Sequence, residues 1–115
     1  MVHANKKAMI ITSRVHPGET QSSFALEGIV KFLLSDCVEA KQLRNQYIFY
    51  VVPMLNPDGV IHGNHRVDLL GYDMNRRWCD PSPWIHPQMY AIRNLVNMIQ
   101  EERKIDVFCD IHGHF

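Results

Sequence analysis

The sequence predicts an α/β fold built on a mostly parallel sheet, and three observations predict it. Three apolar, β-rich runs recur along the chain, at Ala8-Met9-Ile10-Ile11-Thr12, at Tyr47-Ile48-Phe49-Tyr50-Val51-Val52 and at Val107-Phe108-Cys109-Asp110-Ile111-His112-Gly113-His114. Their apolar character is nearly continuous rather than alternating, as in strands covered on both faces. Segments with helical spacing lie between them, and strand, helix, strand in that order is a right-handed crossover unit. In such sheets ligands gather at the carboxyl ends of the strands.

Each element has a local cause. The first helix is expected near Thr20, capped by Thr20 or Ser22, with Leu26, Ile29, Val30 and Leu33 recurring on one face as core. Asp36 to Asn45 suits a second short helix or a turn, with Glu39, Lys41 and Arg44 on a solvated face. The second strand should pair parallel with the first. From Pro53 to Pro83 the chain holds four prolines and three of its six glycines, with no sustained periodicity beyond a short extended piece at Val60-Ile61. A loop region this long in a compact domain points to function. Ser82 as cap or Pro87 as first-turn residue opens the last helix, whose Ile92, Leu95, Val96 and Ile99 follow the i, i+3, i+4, i+7 pattern. Glu101 to Lys104 closes it with solvated charge, and the last strand starts at Ile105.

Composition narrows the partners. The chain has 115 residues, 46% hydrophobic and 21% charged, an ordinary globular balance for one small domain. Its formal net charge is zero, so it lacks the basic field of a nucleic-acid binder. No apolar run approaches the roughly 18 residues of a membrane span, and residues 1–7 lack a signal-peptide apolar region. A cytoplasmic location, with neither nucleic acid nor membrane as partner, is the expectation. Three cysteines, Cys37, Cys79 and Cys109, fit neither a disulfide framework nor a CxxC site, and Cys109 suits a small buried hydrophobe.

The chemistry starts at Ser13-Arg14-Val15-His16-Pro17-Gly18-Glu19-Thr20. The residue before a proline is pushed towards extended dihedrals, which places His16 at the end of the first strand. Pro17-Gly18 then swings Glu19 back beside it. Two such groups on a short loop suit a zinc ion, which needs a third ligand and an open position for water. That third ligand is expected at the end of the last strand, where His112 and His114 compete, since residues two apart share a face. A solvated polar loop would explain an isolated His-x-x-Glu equally well.

Further blocks follow in order: Met54-Leu55-Asn56-Pro57-Asp58-Gly59-Val60, Gly63-Asn64-His65-Arg66, Asp73-Met74-Asn75-Arg76-Arg77-Trp78 and Asp110-Ile111-His112-Gly113-His114. With the opening block they resemble the zinc carboxypeptidases of the M14 family, and closely the cytosolic carboxypeptidase branch that trims glutamate from tubulin. The resemblance runs from about Ala8 to Phe115. It implies a three-layer α/β/α fold with a mostly parallel (mixed) sheet, residues 1–115 being the N-terminal part of the catalytic domain. It also implies one Zn2+ per chain, held by His16, Glu19 and His112, and favours His112 over His114. Asp73 matches the acid that orients the first histidine, with a turn cap as its plainer role. Arg66 matches the arginine that polarises the scissile carbonyl, and Asn75 with Arg76 the pair that grips the substrate's free carboxylate.

The implied activity is hydrolysis of C-terminal residues from peptide or protein tails, with glutamate from tubulin-like tails as the branch's preference. The family's general base, a glutamate beyond the last zinc histidine, has no counterpart before Phe115. Asp110 shares a face with His112 and is a thin alternative for it. Phe115 itself departs from the serine expected after His-Gly-His. Asn56-Pro57-Asp58-Gly59 reads as a turn shaping the loop that delivers Arg66. Trp78 and Trp84 read as packing, and His62, His65 and His86 carry no assigned role. Two other readings compete: a non-catalytic module that binds zinc and peptide C-termini, and a zinc amidoacylase acting on N-acyl amino acids, against which the Asn-Pro-Asp-Gly and His-Gly-His blocks speak.

Overall fold

The computed structural model describes residues 5–113. His114 and Phe115, the competing ligand and the departing residue, lie outside the described residues. Strand β1 (Lys7–Ser13) is the middle of a parallel sheet of order β2-β1-β3, flanked by β2 (Tyr47–Val52) and β3 (Ile105–Ile111). Helices α1 (Thr20–Leu34) and α2 (Val38–Gln46) connect β1 to β2. A short helix α3 (Pro57–His62), a 3-10 turn (Met74–Arg76) and helix α4 (Pro87–Glu102) connect β2 to β3.

The central position of β1 follows from its residues. Ala8, Ile10, Ile11, Thr12 and Ser13 are all buried, so this strand is covered on both faces. Ala8 and Ile10 meet Ile99 of α4, with Leu95 and Val96 packed beside them. Met9 and Ile11 point to the other face, towards Ile29 and Leu33 of α1 and Leu43 of α2. Three layers result. Burying a side chain the size of Ile10 contributes about 1.5–3 kcal/mol. A second apolar cluster, Val15, Leu55, Met74, Met89 and Ile92, packs the long connection under the loop that follows β1.

The flanking strands are less covered than their apolar sequences imply. Every residue of β2 is half-buried, and Val107, Phe108 and Cys109 in the middle of β3 are exposed. Both strands are edges among the described residues. Cys109 is therefore a surface thiol.

Several local expectations change. Neither Thr20 nor Ser22 caps α1; Glu19 occupies that position, while the Ser22 hydroxyl donates back to the Glu19 carbonyl at 2.7 Å. Arg44 is not on a solvated face, since its guanidinium donates to the carbonyls of Leu33 and Ser35 at the end of α1. Val60 and Ile61 are helical, because Asn56 caps α3 by accepting from the Gly59 amide at 2.9 Å, with Pro57 as the first helical residue. Pro87 opens α4, whereas the Ser82 hydroxyl caps the preceding turn, accepting from Trp84 and Ile85. Arg103 is tucked in, donating to the Lys6 carbonyl. Trp84 is 89% exposed and packs no core.

Candidate metal centre

The connections run one way from β1 to β2 and cross back over β1 to reach β3. The carboxyl ends of β1 and β3 therefore flank the point where the sheet changes direction, the place where such folds hold ligands. The loop after β1 carries His16 and Glu19; the residue after β3 is His112. Arg14 turns that first loop with a left-handed backbone, φ 59°. Its side chain locks the turn, donating from Nε to the Pro17 carbonyl and from Nη1 to the Ser23 hydroxyl, each at 2.8 Å.

His16, Glu19 and His112 converge, with one ligand atom from each within 4.8 Å of the others. The His16 Nδ1 lies 2.8 Å from Glu19 Oε1 and the His112 Nδ1 lies 3.1 Å from Glu19 Oε2. The two rings stand 5.0 Å apart. His16 and Glu19 are buried, while a third of the His112 side chain is open to solvent. The cluster thus has a closed floor and an open side. Donors around a tetrahedral zinc ion at about 2.0–2.1 Å stand roughly 3.3 Å from one another, so the two donor separations fit such an ion with little adjustment. Two imidazoles and a carboxylate are also a suitable donor set.

Each imidazole is held from behind. The His16 Nε2 lies 3.0 Å from Asp73 Oδ1, and the His112 Nε2 lies 2.8 Å from Asp110 Oδ2. This leaves both Nδ1 atoms facing the common point. Asp73 makes two contacts through one oxygen. It caps the Met74–Arg76 turn by accepting from the Asn75 amide at 2.9 Å, and it bonds His16 with the same oxygen. Asp110 went unassigned as a partner of His112, although the alternation of the strand was a signal for it.

Electrostatics agree with ionised acids. Burial pushes the Glu19 carboxyl up, but the Gly113 amide at 2.9 Å, then the hydrogen bond and charge of His16 and the charge of His112, bring it below its ordinary value. Burial likewise raises Asp73, and the bonds from His16, Arg66 and the Asn75 amide outweigh it. Glu19 also sits at the N-terminus of α1, whose dipole favours a carboxylate.

Of the remaining site residues expected from the sequence, Arg66 is bonded to this cluster through its side chain. Arg66 donates from Nε to Asp73 Oδ2 at 2.9 Å, so it reaches His16 through a shared carboxylate. Asn75 accepts from the Trp78 indole at 2.7 Å through its amide oxygen. Trp78 packs edge-on against Phe108, 5.6 Å away. Arg76 is exposed on the adjacent turn. The Asn56-Pro57-Asp58-Gly59 stretch holds two loops: the Gly59 carbonyl accepts from the Asn64 amide at 2.9 Å, two residues before Arg66, and other bonds reach the loop after β1. The Asn56 side chain donates to the Val15 carbonyl, and the backbone amides of Leu55 and Asn56 bond Ser13 and Arg14. His86 is buried at the start of α4, edge-on to Tyr72, and the His65 carbonyl accepts from the Gly18 amide at 2.8 Å.

Comparison with known proteins agrees with this arrangement. The model of the zinc carboxypeptidase family matches residues 2–114. Cytosolic carboxypeptidase 6 of Mus musculus is 47% identical over 113 residues, covering 96% of this chain and 21% of the mouse protein. Cytosolic carboxypeptidase 1 of Homo sapiens is 46% identical over 111 residues, covering 96% of this chain and 9% of the human protein. The chain therefore spans about a fifth or less of the length of these relatives. The crystal structure of a metallo-carboxypeptidase from Burkholderia cenocepacia superposes with a TM-score of 0.88 at 37% identity, over 97% of this chain and 30% of that one. A metallo-carboxypeptidase from Pseudomonas aeruginosa, in complex with (2-guanidinoethylmercapto)succinic acid, gives 0.83 at 31% identity, over 97% and 29%. A family match over residues 2–114, with relatives 46–47% identical along 96% of the chain, has one reading: the chain belongs to the zinc carboxypeptidase family.

Proposed function

We propose that the protein carrying this chain is a zinc-dependent metallocarboxypeptidase of the cytoplasm that removes glutamate from the C-terminal tails of proteins, tubulin-like acidic tails among them. The continuous path Glu19–His16–Asp73–Arg66 carries the reading, because it joins a metal-binding cluster to a cation that a substrate can meet. His16, Glu19 and His112 are the zinc ligands. Zinc, when bound, acts as a Lewis acid and lowers the pKa of its water. Arg66, anchored by its Nε, offers its terminal nitrogens to the scissile carbonyl as negative charge develops there. Asn75 and Arg76 hold the substrate's terminal carboxylate, a fork-and-amide arrangement that restricts cleavage to chain ends. The cytoplasmic location is supported by the names of the cytosolic carboxypeptidase relatives, and the glutamate preference by the motif resemblance to that branch.

The carboxylates bonded within the cluster, Glu19, Asp73 and Asp110, are each committed to an imidazole. This favours a second reading for the isolated 115-residue chain: it binds zinc and a peptide C-terminus without cleaving, the general base coming from elsewhere in the protein. The test is a pair of measurements with a polyglutamate peptide and its C-terminal amide. The protein carrying the chain is expected to shorten the free-acid peptide one residue at a time and to leave the amide untouched, and zinc chelation is expected to stop the reaction. Equal cleavage of both peptides, or cleavage that survives chelation, would overturn the proposal. Cleavage by the isolated chain would overturn the second reading.

A further inference from the structure

His112 stands between two carboxylates, and the second is anchored in the sheet. The parallel register of β1 and β3 pairs Thr12 with Asp110. The Thr12 hydroxyl, fully buried, donates to Asp110 Oδ1 at 2.7 Å, and Asp110 Oδ2 lies 2.8 Å from His112 Nε2. Both oxygens of Asp110 are thereby engaged. A neutral imidazole carries one N–H, and of the two carboxylates facing His112 Asp110 is the nearer, 2.8 Å from Nε2 against 3.1 Å for Glu19 at Nδ1, so a proton kept on Nε2 leaves the Nδ1 lone pair for a metal. Asp73 faces the Nε2 of the other ring at 3.0 Å, but there Glu19 is the nearer carboxylate, 2.8 Å from Nδ1. Asp73 lies on a turn and also bonds Arg66, so the His16 arm is linked to the substrate-facing side. The His112 arm runs instead into the sheet interior.

We propose that Asp110, held by Thr12, is the positioning residue that fixes His112 in the Nε2–H tautomer and aims its Nδ1 at the point shared with His16 and Glu19. The inference rests on the reading of His112 as a zinc ligand. It also gives β3 a task besides packing: its register with β1 sets the orientation of a ligand that lies beyond the strand's end.

The test uses the full-length protein, with zinc affinity measured by chelator competition and histidine tautomers read from 15N spectra of the zinc-free form. Asp110→Ala is expected to weaken zinc binding by about 10–100-fold, as loss of such a partner usually does. Asp110→Asn, which keeps the shape and a neutral acceptor, should fall between it and the parent, and Thr12→Ser should restore what Thr12→Val loses. The spectra are expected to show Nε2–H at His112 in the parent and a mixture in Asp110→Ala. Zinc affinities of both Asp110 variants within about twofold of a zinc-binding parent would overturn the inference while leaving the metal reading intact. So would an Nδ1–H tautomer in the parent. A parent without zinc affinity would overturn the metal reading, and this inference with it.

Discussion

The Asn56 amide nitrogen donates to the Val15 carbonyl at 3.2 Å, so the residue that caps α3 also holds the backbone immediately before His16. Asn56 is fully buried and Asn56→Ala removes both bonds. A lost cap costs about 1 kcal/mol and a stranded buried carbonyl about 1–3 kcal/mol more. Urea denaturation should show a loss of roughly 3 kcal/mol, and zinc affinity should fall as the His16 loop loosens.

Gly59 and Gly28 should respond in opposite directions to alanine. A Cβ at Gly59 would stand 2.4 Å from Pro17 Cγ and 2.8 Å from the Val67 carbonyl oxygen, a collision with the metal loop's own proline. Gly59→Ala is expected to cost about 1–3 kcal/mol, the usual range for overpacking. Gly28 lies within α1 with nothing near its Cβ position. Gly28→Ala should stabilise by about 0.5–1 kcal/mol in the same denaturation assay.

Arg66→Ala should lower kcat of the protein carrying this chain by about 10²–10³-fold, the typical effect of removing one oxyanion donor. Zinc content, measured by mass spectrometry, should stay near one per chain, because Arg66 reaches the ligands only through Asp73. A KM increase with kcat unchanged would instead place Arg66 in ground-state binding.

Asn75→Ala and Arg76→Ala should act chiefly on recognition of the terminal carboxylate. The expected outcome is a higher KM for free-acid peptides and a smaller advantage over the corresponding amides. Asn75→Ala also leaves the Trp78 indole N–H without its acceptor, 2.7 Å away. It should therefore cost about 1 kcal/mol of stability as well, whereas exposed Arg76 should cost none.

An exposed network on the amino-terminal side of the sheet sets a pH window. The Tyr47 hydroxyl at 2.9 Å, followed by Lys7, holds the Asp106 carboxyl below its ordinary 3.8. The same bond and the Asp106 charge raise Tyr47 above 10.0. A lowered acid adds stability that is present above 3.8 and lost as pH falls below it. A raised phenol adds stability that is present below 10.0 and lost as pH rises beyond it. The difference in melting temperature between the parent and Asp106→Asn should be largest between these limits and shrink on both sides.

The sequence by itself determined the three strands, the helices α1 and α4 and the pairing of His16 with Glu19, because their causes are local. Helical spacing in α1 and α4, the β-rich runs, and a His-x-x-Glu turned by Pro17-Gly18 act over distances of a few residues. The ordered motifs added the family, and with it His112 as the candidate third ligand. Only the tertiary structure decided what depends on packing across the sheet. Asp110 faces His112 and Thr12 because β3 pairs with β1 in one register, and Asp73 reaches both His16 and Arg66 because a 3-10 turn presents it to the β1 loop. Likewise Asn56 braces the metal loop across a separation of 41 residues, and Cys109 is exposed because β3 is an edge among the described residues. Periodicity tells which side of a strand a residue occupies, but not which neighbour will stand there, since that is set by the order and register in which the strands assemble.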